Sequence, residues 1–396
     1  MVSLRCALPL LALSCLAREI PAGTELQIRL TAPLSSESAK VGQPISAVLI
    51  APVVVNGQIE MNAGAAVIGL VKDVTSTKDG AQARLTPQFD QIGDAAGHRA
   101  KLAAKLTAID NARETVNGDG QIVGIQANQT LSSALDKGLA KLADSYSGFA
   151  GILGAAKNAA MDKTDPSINY PAGVEMTLTL TAALEWTAPV EPSKLRDIGP
   201  AGALVALVNS EPFRAYTDRT NKPSDITNVM FLGTDQQIRR AFEAAGWSTS
   251  DALDETSKFQ TFRAMADSSG YKQAPMSILI LDGRPPDLTL QKLVNTFSAR
   301  HHVRIWRRPG AFDGRPVWVC SSTHDTGIGF SDKERTFIHQ IDSDIDRERA
   351  KVASDLVFTG KVTGIALVDR DNVPTSAFNG TGDEIHTDGR MVVIEF

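Results

Sequence analysis

IPAGTELQIRLTAPL (20–34) recurs in altered form as YPAGVEMTLTLTAAL (170–184). Each copy opens on an Ala-Gly turn and then alternates, through Leu26, Ile28 and Leu30 in the first and Met176, Leu178 and Leu180 in the second. A period of two puts these side chains on one face of a strand, where they can line a core. A partial third copy, MNAGAAVIGLV, covers 61–71. Outward from the first copy, strand signals follow at 45–54 (ISAVLIAPVV), 65–73, 81–89 and 99–108. The spacing is too irregular for a solenoid. The reading is one β-domain over 18–187, barrel-like, whose first and last strands are alike.

LSSALDKGLAKLADSYSGFAGILGAAKNAAMD (131–162) breaks this rhythm. Leu131, Leu135, Leu139 and Leu142 recur at helical spacing, and a small-residue Gly/Ala face follows them. Lys137, Lys141 and Lys157 interrupt any lipid-facing surface, so the segment reads as a helical insertion within the barrel. Pro, Gly and charge then accumulate, and 188–224 reads as a linker.

From 225 to 396 strands and helices mix. NVMFLG (228–233) is a strand, and TDQQIRRAFEAAGW (234–247) is a helix capped by Thr234 and stopped at Gly246. A second helix is expected at 256–266, and strands at SILILDG (277–283), 301–307 and 316–321. SDIDRERAKVASDLVFTG (343–360) is a third helix, with Ser343 and Asp346 as a capping box and Gly360 at its end. KVTGIALV (361–368) and MVVIEF (391–396) close the unit. The chain is therefore multidomain: an N-terminal mainly-β barrel-like domain with a helical insertion, then a C-terminal α+β domain.

The chain has 396 residues, and forty basic against forty-five acidic side chains leave a net charge of −5, which argues against broad nucleic-acid binding. MVSLRCALPLLALSCLAREIPAG opens with Arg5 and an apolar run over 6–17, the pattern of a secretory leader cleaved after Ala17. Lipid attachment at Cys15 is the second reading. The run is too short to span a bilayer comfortably, and no later stretch is longer. The expected location is the periplasm or cell envelope. With Cys6 and Cys15 in the leader, Cys320 has no disulfide partner and reads as a small buried hydrophobe.

Four of the six histidines fall close together near the C-terminus: His301 and His302 in RHHVRIWRRPG (300–310), His324 in SSTHDTGIGF (321–330), and His339 in FIHQIDSDIDRER (337–349). Alternation along a strand puts His302, Arg304 and Trp306 on one face, and His301, Val303 and Ile305 on the other. His301 then reads as a core histidine bonded to backbone, and cannot easily share a metal with His302. The site candidates are His302, His324, Asp325 and His339 as acid–base groups. His302, His324 and His339 double as ligands for a divalent metal. Arg304, Arg307 and Arg284 are candidates for holding an anion. No helix-borne spacing such as HExxH backs the metal reading, and a structural polar network is the plainer alternative. Asp344 and Asp346 then serve only the helix N-terminus. Trp247, Trp306 and Trp318 read as core anchors.

NVMFLGTDQQIRRAFEAAGW, APMSILILDGRPPDLTLQK (274–292), RHHVRIWR, DGRPVWV, THDTGIGF and IHQIDSDIDRER run in the order seen in the LssY C-terminal domain family of bacterial envelope proteins, which 228–360 resembles. In that family the module often follows a membrane-embedded phosphatidic-acid-phosphatase-like domain. Neither that enzyme's signature nor its multi-span region is present here. The resemblance implies the module and an envelope setting, not the phosphatase. Residues 20–108 resemble, in their order of turns and strands, the β-barrel domain of the TrbI family of conjugation proteins, with Asn62 where that family usually has Pro. Together these imply an exported accessory protein that binds an envelope partner, an anionic lipid or a phosphate ligand. The alternative is a metal-assisted hydrolase of a phosphate ester or envelope lipid.

Overall fold

The computed structural model describes residues 18–110, 114–125, 166–199, 202–218, 220–249, 278–292, 300–331 and 336–396. The expected leader, the helical insertion expected at 131–162 and the helix expected at 256–266 lie outside the described residues. The molecule is mostly β, with three α-helices among the described residues.

The two echoed segments become neighbouring strands. β1 (Glu25–Leu30) pairs antiparallel with β8 (Glu175–Leu180), setting Leu26 opposite Leu178 and Ile28 opposite Met176. All four side chains are buried, so the two like sequences line one core. Between them in the chain lie β2 (Pro44–Leu49), β3 (Ala66–Thr75), β4 (Arg84–Gly93), β5 (Ala104–Ile109), β6 (Thr115–Val116) and β7 (Ile122–Val123). The sheet runs β5-β8-β1-β2-β3-β4-β7-β6 and is antiparallel throughout. It curls into a nearly closed barrel filled by one apolar cluster. The curl needs irregular register. At Gly69, where β3 shifts against β4, a Cβ would stand 2.1 Å from the carbonyl oxygen of Gln88, so only glycine allows this approach.

The C-terminal sheet joins β9 (Arg196–Asp197), β10 (Val229–Leu232), β11 (Trp247–Thr249), β12 (Leu288–Lys292), β13 (Arg300–Phe312), β14 (Arg315–Ser331), β15 (Thr336–Ile341), β16 (Gly364–Val368) and β17 (Met391–Glu395). Its order is β9-β16-β17-β10-β14-β13-β12-β11, with β15 added to β14. The β9–β16 and β10–β17 pairs are parallel and the rest antiparallel.

Both faces of this sheet are covered. Val229 and Phe231 of β10 join Ile238 and Phe242 of α2 (Asp235–Ala244) and Val352 and Leu356 of α3 (Ile345–Phe358). Met230 and Leu232 point the other way, onto Leu204 and Val208 of α1 (Gly202–Ser210). Helix α2 starts at the Thr234 cap, in a capping box with Gln237. Helix α3 is capped by Asp344, whose side chain accepts from the Asp346 N–H, one residue beyond the expected Ser343. Within 188–224, read from composition as a linker, β9, α1 and a strand at Arg214–Thr217 are built into or against the C-terminal unit. Burying Leu204 and Val208 outweighs the local Pro and Gly signals.

Three tryptophans anchor the core, each with its indole N–H donating: Trp247 to Asp355, Trp306 to the Arg284 carbonyl and Trp318 to the Gly233 carbonyl. Cys320 is wholly buried, and burial pushes its thiol well above the ordinary range, as an inert packing residue requires. No helix among the described residues is long and apolar enough to cross a membrane.

Candidate metal centre

The long hairpin of β13 and β14 sets His301 directly opposite His324. On β13 the residues that share the His301 face, Val303 and Ile305, belong to the core under α2 and α3. On β14, Trp318 and Cys320 define that same face, and period two carries it on to Ser322 and His324. The two imidazoles stack, with centroids 4.1 Å apart and planes 13° from parallel.

Helix α3 crosses above them. Its buried stripe is Ile345, Glu348, Arg349, Val352, Asp355 and Leu356, a helical repeat in which charged residues take apolar positions. Glu348 therefore points into the layer between helix and sheet. One carboxylate oxygen lies 2.7 Å from His301 Nδ1. One donor atom from each of His301, His324 and Glu348 lies within 4.8 Å of the others. The Glu348 side chain is 3% exposed. Its Oε1 and the Nε2 of His324 are buried and make no hydrogen bond among the described residues.

Burial dominates the electrostatics. It lowers His301 and His324 to about 4 each, and raises Glu348 to about 8. Both imidazoles are then neutral at physiological pH, the form in which a ring nitrogen carries a lone pair for a metal. Two imidazoles and a carboxylate suit zinc or a similar transition ion better than magnesium or calcium, which prefer all-oxygen sites.

The residues singled out in the sequence divide differently. His302 and Asp325 occupy the opposite face of the sheet from His324. His302 contacts the Thr323 hydroxyl at 2.6 Å and Asp325 at 3.7 Å. They meet each other there because each is one strand position away from a cluster histidine. His339 stands opposite Ile328 in the β14–β15 pairing, and its side chain lies outside the described residues. Arg304 is buried against Asp225 at 2.9 Å. Arg307 donates to the carbonyls of Arg308, Gly310 and Val317 and lies over the Trp318 ring. Arg284 pairs with Asp287 at 3.3 Å. All three guanidiniums are thus engaged by the protein itself.

His301 and Glu348 are the two members that the sequence reading did not place in the site. His301 was expected to bond to backbone and instead bonds to a carboxylate. Glu348 sits in the run DRER near the start of the helix expected at 343–360. Its one visible signal is position, three residues after Ile345 and four before Val352, on the apolar stripe of α3.

Residues 210–391 match the LssY C-terminus family. His301, His324 and Glu348 all lie within the matched segment, which is a little under half of the chain. The resemblance expected over 228–360 is met, and the match extends on both sides of it. No curated protein matches the chain. Among solved structures, ComB10 of the Com type IV secretion system of Helicobacter pylori is similar at 13% identity and a TM-score of 0.25, over 44% of this chain and 93% of that one.

Proposed function

We propose that the protein is a cell-envelope accessory component whose LssY C-terminal region holds a divalent transition-metal ion on His301, His324 and Glu348. The observation that carries this is their convergence: three donors within 4.8 Å of one another, at the edge of an apolar core that includes Val303, Ile305, Val352 and Leu356. Burying such groups costs free energy unless each polar atom is used. Ligation would use Glu348 Oε1 and His324 Nε2, two buried atoms that make no hydrogen bond among the described residues. The envelope setting rests on the resemblance to LssY-type modules and on the leader-like N-terminus. The accessory role rests on the arginines, whose internal partners leave no support for an anion clamp around the histidines.

The test is zinc binding by the full chain after chelator treatment. Elemental analysis and calorimetry should give one ion per chain for the wild type, and none for His324→Ala or Glu348→Gln. Zinc at a hundredfold excess over its dissociation constant should stabilise the wild type by about 2.7 kcal/mol and leave the variants unchanged. A wild-type chain that takes up no stoichiometric metal would sink the reading.

A further inference from the structure

The barrel reaches the edge of the same centre. Asp110 follows the last residue of β5, and its backbone N–H donates to the Glu175 carbonyl at 3.0 Å, which ties it to β8. The Glu175 carboxylate is itself held by Arg29 of the barrel and by Lys292 and Lys351 of the C-terminal region. The place of Asp110 is therefore set by how the barrel packs on that region. Its carboxylate Oδ2 lies 3.8 Å from Nε2 of His301. Glu348 meets the other ring nitrogen, Nδ1, at 2.7 Å. Asp110 thus stands behind the histidine, outside the three residues whose donors converge.

A neutral imidazole carries one proton between its two nitrogens. Nδ1 is the nitrogen on the Glu348 side, so it is the one that gives a lone pair to an ion shared with Glu348. The proton then stands on Nε2, which faces Asp110. A metal-bound histidine commonly donates its remaining N–H to a carboxylate, which fixes the ring and raises the basicity of the bound nitrogen. The separation of 3.8 Å is longer than a hydrogen bond. The Asp110 side chain is 22% exposed, which leaves it free to close that gap once Nε2 presents a donor.

We propose that Asp110 is a positioning residue that accepts from Nε2–H of His301 while Nδ1 binds the ion, so that the barrel sets the metal affinity of a site whose ligands all belong to the LssY C-terminal region. This rests on the metal reading above. It links metal uptake to barrel docking: holding Asp110 in place strengthens metal binding, and by reciprocity the bound ion strengthens the contact between barrel and C-terminal region.

The experiment uses the full chain with nitrogen-15-labelled histidine and Zn²⁺ as the probe. Long-range proton–nitrogen NMR spectra tell a metal-bound ring nitrogen from a protonated one, with His301 assigned by substitution. In the zinc-loaded wild type His301 should be bound through Nδ1 and protonated on Nε2. Asp110→Ala should lower zinc affinity by ~10-fold, with one ion still bound and the metal-free melting temperature unchanged. Asp110→Asn keeps an acceptor oxygen without the charge and should recover part of that loss. Zinc bound through Nε2 of His301, wild-type affinity in Asp110→Ala, or an affinity loss matched by a loss of metal-free stability overturns the role of Asp110 and leaves the three-residue site standing. A wild type that binds no zinc removes both readings together.

Discussion

Glu175, at the start of barrel strand β8, and Lys292, at the end of β12 in the C-terminal sheet, meet at 3.2 Å with side chains only 2% and 3% exposed. Lys292 also reaches Asp355 at 2.6 Å and donates to the Ala245 carbonyl at 2.8 Å. Burial raises the cost of charging Glu175, but Lys351, Lys292 and Arg29 outweigh it and hold this carboxyl well below its ordinary range. Every charge in the group has a partner of opposite sign, the condition under which buried ions are tolerated.

Removing one member should be costly. Lys292→Met removes the contacts to Glu175, Asp355 and the Ala245 carbonyl, while Arg29 and Lys351 still neutralise the two carboxylates. The expected loss is about 1–3 kcal/mol, the range for leaving a buried polar group without its partner. Urea unfolding followed by tryptophan fluorescence would read it, since the Lys292 ammonium lies 5.5 Å from the Trp247 ring centroid. A change below about 1 kcal/mol would show that the network is not closed to water as the structure has it.

Arg304 and Asp225 form a second buried pair, at 2.9 Å, with side chains 5% and 7% exposed. Arg304→Met should destabilise by about 3–5 kcal/mol, because it removes the cation paired with the buried Asp225 carboxyl. Adding Asp225→Leu should recover much of that loss. Phosphate should not stabilise the wild type. A phosphate-dependent rise in melting temperature that Arg304→Met removes would instead make Arg304 an anion ligand.

Asp388 gives the pH prediction. Its carboxylate meets the guanidiniums of Arg349 and Arg390, and Asp346 accepts from its backbone N–H. Burial raises its pKa, but hydrogen bonds from Arg349 and Arg390 outweigh that and hold it well below the ordinary carboxylate range. The unfolded chain takes up this proton near about 3.9 while the folded chain resists it. The contribution is therefore fully present above that value, and is lost as pH falls through it toward the folded pKa. Thermal melts between about pH 2 and 6 should show a shallower acid limb in Asp388→Asn than in the wild type. Superimposable limbs would mean that Asp388 does not carry the effect.

Much of the fold is legible locally. Thr234, Gln237 and Gly246 mark α2 because a capping box and a stop act within a few residues. The alternation in IPAGTELQIRL and its echo marks two strands that prove to be neighbours. The helix that carries Glu348 is visible too, but the inward turn of its charged residues is not. Only docking against the sheet buries Glu348, Arg349 and Asp355 together.

Strand period, turn residues and helix caps are short-range chemistry, and they suffice for a β-barrel-like unit followed by an α+β unit. Period two likewise keeps His301 and His302 on opposite faces whatever the fold. Which histidine meets which is a different kind of fact. It depends on the register of β13 against β14, which puts His301 opposite His324, on the packing of α3, which lowers Glu348 onto them, and on the docking of the barrel, which brings Asp110 to their edge. Each brings together groups far apart in the chain. Side-chain burial over whole surfaces selects those arrangements, and no local pattern encodes it.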